Sequence, residues 1–477
     1  MRRLPWWRQP LWLALLTTVW FVAPACGQET PLDKYVKEKD ATYSWRIVKI
    51  VEGNPSRTLI VRLKSQTWRT PQEVDRPVWE HWLTIIVPEK VEHKTAFLMI
   101  GGGSHDSAMP ERANDVIVQI ARATRSVVAE LRNVPNQALI FHGDGVPRKE
   151  DDLIGYTWDQ FLKTGDATWP ARLPMVKSAV RAMDCIQEVL ASQEGGGLTI
   201  EKFVVAGGSK RGWTTWMTAA VDPRVVAIVP IVIDVLNVEP SMRHHAQVYG
   251  FWAEAIGNYY QHRILQRANE PKLKELYRIE DPYYYRDRFT MPKFIINGSG
   301  DQFFCPDSSQ FYFADLPGEK FLRYVPNADH SLKGTDAPLS IIAFYQMVLA
   351  EKPRPRFTWT FEKDGAIRVT ATDRPKQVTL WQATNPKARD FRVVTIGNAF
   401  TSTELQPESD GSWVARITPP KEGWTAFFVE LTYDTGGAFP LKLTTGVRVL
   451  PDTLPHAGVD LTKVPYEPHL KANSSRP

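Results

Sequence analysis

The chain has 477 residues, of which 43% are hydrophobic, 23% charged and 11% aromatic, a composition that excludes a disordered chain, a collagen-like fibre and a multispan membrane protein. Its 58 basic and 53 acidic residues give a net charge of +5, which falls to about +2 without Arg2, Arg3 and Arg8 of the leader described next. So even a balance, with no basic stripe, argues against nucleic acid or an anionic membrane as partner.

Residues 1–28 open with Met1-Arg2-Arg3, continue through an apolar run from Leu11 to Val22 and end in Ala23-Pro24-Ala25-Cys26-Gly27. A positive start, a short apolar middle and small residues at the end predict a secretory signal peptide and a periplasmic, cell-surface or extracellular protein. The apolar run is about a dozen residues, short of the roughly 20 that a spanning helix needs. Cys26 offers a site for lipid acylation, although Ala23 stands where such sites usually carry Leu. Cys185 and Cys305 remain in the body, where they either pair or stay as buried thiols. No CxxC or Cys/His spacing suggests a metal.

Residues 43–87 alternate β-branched and aromatic residues with polar ones, as in Trp45-Arg46-Ile47-Val48 and Thr58-Leu59-Ile60-Val61, and predict an antiparallel meander. The rhythm then changes. Ala96-Phe97-Leu98-Met99-Ile100 is continuously apolar, as in a strand buried on both faces. Helices are expected over 112–123, 172–191, 212–220 and 339–349, and strands over 126–131, 203–206, 225–232, 293–296 and 321–325. Strands alternating with helices imply a mostly parallel sheet with helices on both faces, across residues 30–352. Two long interruptions stand out: 133–170, a functional loop or a peripheral helical decoration, and 237–288, read as a lid. After the linker Glu351-Lys352-Pro353-Arg354-Pro355-Arg356, short evenly spaced strands over 357–455 suggest an immunoglobulin-like β-sandwich. Residues 456–477 are polar and Pro-containing and read as an unstructured tail.

The chemistry centres on Phe203-Val204-Val205-Ala206-Gly207-Gly208-Ser209-Lys210-Arg211-Gly212-Trp213. A buried strand runs into a Gly-flanked serine and a helix follows at once, with Trp213, Trp216, Met217 and Ala220 on one face. Such a turn presents a strained serine above the sheet, and the helix N-terminus behind it favours the negative charge of acyl transfer. The usual pattern is Gly-x-Ser-x-Gly, whereas here Arg211 holds the fifth place and Gly212 the sixth. An acid and then a histidine are expected downstream, at later strand ends. Asp301 follows the strand Phe294-Ile295-Ile296, and His330 follows Phe321-Leu322-Arg323-Tyr324-Val325. Asp234, after Ile231-Val232-Ile233, is the alternative acid. The run Ile100-Gly101-Gly102-Gly103-Ser104-His105 stands where an oxyanion loop would, so the backbone N–H groups of Gly102 or Gly103 and of Lys210 are the candidate donors. It lacks the GxGxxG spacing of a dinucleotide loop. Arg211, His244 and His245 are candidate substrate contacts, each with a structural alternative: a carboxylate partner under the turn for Arg211, lid packing for the histidines.

These motifs carry a resemblance. Residues 30–352 look like an α/β-hydrolase, and the whole chain resembles the PhoPQ-activated pathogenicity-related family in Ile100-Gly-Gly-Gly103, Gly207-Gly-Ser-Lys-Arg-Gly-Trp213, His244-His245 followed by Tyr249-Gly250, and Gly300-Asp301-Gln-Phe-Phe304. The resemblance implies the hydrolase fold and a Ser209–His330–Asp301 triad, without a settled substrate. A basic residue after the serine is also similar to glucuronoyl esterases, where an arginine there helps hold the oxyanion; Lys210 stands in its place. The expectation is an exported serine esterase acting on a small-molecule or polymer ester without metal or cofactor. A secreted serine peptidase, or a non-catalytic binding or signalling protein on the same fold, is the alternative. The β-sandwich is a candidate contact for a cell surface or carbohydrate.

Overall fold

The computed structural model describes residues 29–53 and 56–467; the expected leader, Cys26 with it, and the last ten residues lie outside them. Three antiparallel strands, β1 (Ser44–Val51), β2 (Ser56–Thr67) and β3 (Val78–Pro88), lead into β4 (Thr95–Ile100), β5 (Val128–Leu131), β6 (Lys202–Gly208), β7 (Val225–Ile231), β8 (Lys293–Gly298) and β9 (Lys320–Val325). Their order in space is β1-β2-β3-β5-β4-β6-β7-β8-β9. Strand β3 is antiparallel to both neighbours, and every pairing from β5 to β9 is parallel.

The apolar runs explain this core. Alternate side chains of one strand divide between the two faces of a sheet. Phe97, Val204, Ala227, Phe294 and Phe321 enter one apolar cluster, and Leu98, Val205, Ile228, Ile295 and Leu322 enter the other. Helices cover both. On the second face lie α1 (Pro31–Lys37), α4 (Arg172–Ala191) and α5 (Lys210–Val221); on the first lie α2 (Asp115–Thr124) and α9 (Ala337–Leu349). The two interruptions are helical: 133–170 holds α3 (Glu150–Thr164), and 237–288 holds α6 (Val238–Tyr249), α7 (Gly257–Gln261) and α8 (Pro271–Glu280). No helix among the described residues is long and apolar enough to cross a membrane. Cys185 and Cys305 are buried free thiols.

Beyond Arg356 the strands are β10 (Phe357–Phe361), β11 (Ile367–Ala371), β12 (Gln377–Asn385), β13 (Thr401–Glu404), β14 (Trp413–Ala415), β15 (Trp424–Tyr433), β16 (Leu441–Thr444) and β17 (Arg448–Leu450), with one short helix, α10 (Val393–Ile396). Strands β10, β11 and β14 form a separate sheet, while β16, β15, β12 and β13 continue the main sheet past β9. The seam is narrow: Thr444 pairs with Leu322, and the Tyr324 N–H donates to Thr444 Oγ1 at 3.0 Å.

One expectation requires correction. Residues 456–467, read as unstructured, lie against the 237–288 insertion. The Trp252 N–H donates to the Pro465 carbonyl, the Glu467 N–H to the Trp252 carbonyl, and Tyr466 stacks on Tyr260. Leu461 and Val464 are buried beside Trp252, Ile256 and Leu265. Two apolar residues in a polar, Pro-rich stretch are enough to dock it, and they carry no periodic signal.

Candidate active site

Ser209 occupies the turn between β6 and α5 with φ 56° and ψ −127°, a conformation that costs a non-glycine residue on the order of 1–3 kcal/mol. The turn is held from below by the Ser209 N–H, which donates to the Ile231 carbonyl at 2.8 Å. The geometry also explains the displaced glycine. A Cβ on Gly212 would lie 2.9 Å from the carbonyls of both Gly207 and Ile231, and one on Gly207 would lie 2.6 Å from the Arg211 carbonyl. The helix therefore crosses its strand at the sixth position of the motif, and the fifth is left open to a long side chain.

Asp301 and His330 come together at the ends of β8 and β9. His330 Nδ1 is 2.7 Å from Asp301 Oδ2, and Asp301 Oδ1 accepts the Phe303 N–H at 2.8 Å. His330 Nε2 is buried with no hydrogen-bond partner among the described residues. Phe303 packs on the imidazole with centroids 4.2 Å apart, and the same ring lines the cavity onto which Ser209 opens. Asp234 is not the acid beside His330. It accepts hydrogen bonds from the Tyr312 and Tyr324 hydroxyls at 2.6 and 2.7 Å, and burial lifts its carboxyl to about 7.

The Gly102–Gly103 loop follows β4 and is pinned through its carbonyls. The Asn133 N–H donates to Gly102 O at 3.0 Å and Gln137 Nε2 to Gly103 O at 2.8 Å. Gly103 has φ 135°, a conformation that L side chains rarely adopt. Among the described residues no hydrogen bond engages the N–H of Gly102, Gly103 or Lys210.

The charged side chains after Ser209 are committed elsewhere. Arg211 forms a two-pronged pair with Glu150, at 2.8 and 2.6 Å, and Lys210 Nζ lies 2.8 Å from Glu150 and 3.3 Å from Asp151. Although burial alone would raise Glu150, the Arg211 hydrogen bonds and the Lys210 charge hold it down at about 2. Lys210 thus brings no free ammonium to the cavity. Glu150 lies in the charged stretch of the 133–170 interruption, which the sequence leaves open between a functional loop and a helical decoration and in which no single acid stands out. Three acids, Glu150-Asp151-Asp152, at the head of α3 were the available signal.

His244 and His245 do not line the cavity at Ser209. His244 Nε2 is 2.9 Å from Asp307, and His245 Nε2 accepts the Ala253 N–H at 3.2 Å. Burial, with the Arg392 and His244 charges, pushes His245 down to about 3. His244, Cys305 and Asp307 bring ligand atoms within 4.8 Å of one another, but the Arg389 guanidinium donates to Asp307 at 2.7 Å. A fixed cation already holds that carboxylate, so the group reads as an ion-pair cluster.

A parallel core entered by an antiparallel strand, one exchanged pair of strands, and a strained serine turn after the strand next to the exchange together define an α/β-hydrolase fold. Residues 32–392 match the model of the PhoPQ-activated pathogenicity-related protein family, and the chain belongs to that family. It is 41% identical over 455 residues to the autocrine proliferation repressor protein A of Dictyostelium discoideum, covering 89% of this chain and 91% of that protein. Similar solved structures include acetyl xylan esterase 1 from a Thermoanaerobacterium species (TM-score 0.48, 13% identity) and an acetyl xylan esterase from a Paenibacillus species (TM-score 0.47, 14% identity), each covering 67% of this chain and 92% of the other.

Proposed function

We propose that the chain is an exported serine hydrolase of carboxylic esters, with Ser209 as nucleophile, His330 as general base and acid, and Asp301 as its orienting carboxylate. The observation that carries this reading is the strained Ser209 turn after β6 together with the 2.7 Å His330–Asp301 hydrogen bond at the ends of β8 and β9, with Phe303 both packed on His330 and lining the cavity at Ser209. In the reaction, Ser209 Oγ bonds to the acyl carbon while its proton passes to His330 Nε2. The ester C–O bond then breaks and the alcohol leaves with that proton. Water attacks the acyl-enzyme, giving its proton to His330; the acid departs and Ser209 recovers its hydrogen. The N–H groups of Gly102 or Gly103 and of Lys210 hold the oxyanion, each donor contributing about 3–4 kcal/mol to the barrier reduction. The C-terminal region, read as an immunoglobulin-like sandwich fused to the hydrolase sheet, braces the acid's turn through α10: the Val393 N–H donates to the Gly300 carbonyl at 2.9 Å.

A fluorophosphonate probe should label the protein stoichiometrically, and Ser209→Ala should abolish labelling. A panel of aryl esters, uronate esters and peptide amides separates esterase from peptidase. The curated relative is named for autocrine repression of proliferation, and its 41% identity over most of both chains favours a second reading, a secreted signal on a hydrolase fold. Wild-type protein that resists the probe would favour the signal.

A further inference from the structure

Resting on the ester-hydrolase reading, we infer that the cavity beside Ser209 receives the acyl half of the substrate, and that this half is an uncharged, apolar group of short aliphatic or single-ring size. The side follows from Phe303. Its ring lies on the His330 imidazole and also walls the cavity, which His330 itself does not line. The departing oxygen must end beside His330 Nε2 to collect its proton, on the imidazole side of Phe303. The half that enters the cavity is therefore the one that stays on Ser209.

The size follows from the walls. The cavity measures about 60 Å³ and is bounded by Trp158, Trp213, Met242, Leu265 and Tyr277. A water needs roughly 10–15 Å³ on this measure, so the space admits about four to six groups of that size. Its lining comes from α3, α4, α5, the helices of the 237–288 insertion and the segments that follow β7 and β8.

The charge follows from the pairing of the polar residues at its base. Two cations line the cavity, Arg172 and Lys210, and each already faces a carboxylate: Glu280 at 3.5 Å for Arg172, and Glu150 and Asp151 for Lys210; the next residue, Arg211, is paired with Glu150. Arg172 also lies over the Trp213 ring at 4.1 Å. An entering carboxylate would shed its water without gaining a free cation, which disfavours its binding. A uronoyl ester carries no free carboxylate, its carboxyl being the ester itself; what the apolar walls disfavour there is the set of ring hydroxyls.

The test is steady-state hydrolysis by the full chain of p-nitrophenyl esters from acetyl to dodecanoyl, with a hemisuccinate ester and a set of acetates differing in the alcohol. The expected result is a maximum in kcat/KM at four to six acyl carbons, with dodecanoyl and hemisuccinyl esters at least tenfold lower, and a weak dependence on the alcohol. Met242→Ala, which widens the wall without touching Ser209 or His330, should move the maximum to longer chains. A maximum at the hemisuccinate, a flat acyl profile, or selectivity carried by the alcohol would overturn the inference while leaving Ser209 labelling intact. Loss of labelling and of all turnover would instead strike the hydrolase reading beneath it.

Discussion

Glu150 joins the two halves of the proposed oxyanion site. It accepts from Arg211 and Lys210 on one side and from Gln137 Nε2 at 2.7 Å on the other, and that same amide nitrogen holds the Gly103 carbonyl. Its own backbone has φ 52°, a strained value for a glutamate. Glu150→Gln should lower kcat about ten- to a hundredfold with a smaller change in KM, because a loosened N–H costs transition-state rather than ground-state binding. It should also cost about 1–2 kcal/mol at neutral pH, allowing for solvent screening of a side chain two-fifths exposed. The carboxyl is lowered on folding, so this stability is present above its unfolded value near 4.5 and is lost as pH falls towards 2. Denaturant midpoints of wild type and variant should converge over that window. Asp234 runs the other way. Its folded carboxyl, raised to about 7, stabilises the fold below the unfolded value of 3.8, and this contribution disappears as pH rises through 7. Melting temperature should therefore fall between about pH 4 and 7 in wild type and fall less in Asp234→Asn.

At the scale of elements, what the sequence revealed was whatever repeats. Helix α4 spans Arg172–Ala191, as its pattern predicts, and the apolar run at 96–100 lies inside β4. Asp301 and His330 were legible because chain order ties each to the end of a strand. Helix α3 was not: it begins in three acids and is buried along most of its length, so no one-sided stripe marks it. The sequence alone does not separate Asp234 from Asp301, since both follow apolar strands; the structure does, with Asp301 on His330 and Asp234 taken up by Tyr312 and Tyr324. The stretch 456–467 is tied to the insertion by few residues, which makes it easy to probe. Leu461→Ala should cost about 2–4 kcal/mol and speed amide hydrogen exchange in 252–265, because Leu461 packs in one cluster with Trp252, Ile256 and Leu265. Unchanged exchange there would mean that the segment merely rests on the insertion.

At the scale of the molecule, fourteen strands among the described residues share one sheet, and β9, the strand that leads to His330, is interior to it rather than at its border. A chain ending at Lys352 would leave β9 without β16 and uncover Leu431, Leu441 and Leu443's partners in the apolar cluster they share with Phe321 and Phe344. It should elute as aggregate in size-exclusion chromatography, whereas a monomer that still takes the probe at Ser209 would show the C-terminal strands to be dispensable. The sheet's two actual borders are β1 and β13. Strand β13 is Thr-Ser-Thr-Glu with all four residues exposed, and β1 carries Arg46 and Lys49. Short or charged rims of this kind resist pairing with another chain. The selvedge of this fabric was thus moved outward, away from the histidine, so colloidal behaviour can be tuned at its hems without disturbing the weave that positions the chemistry.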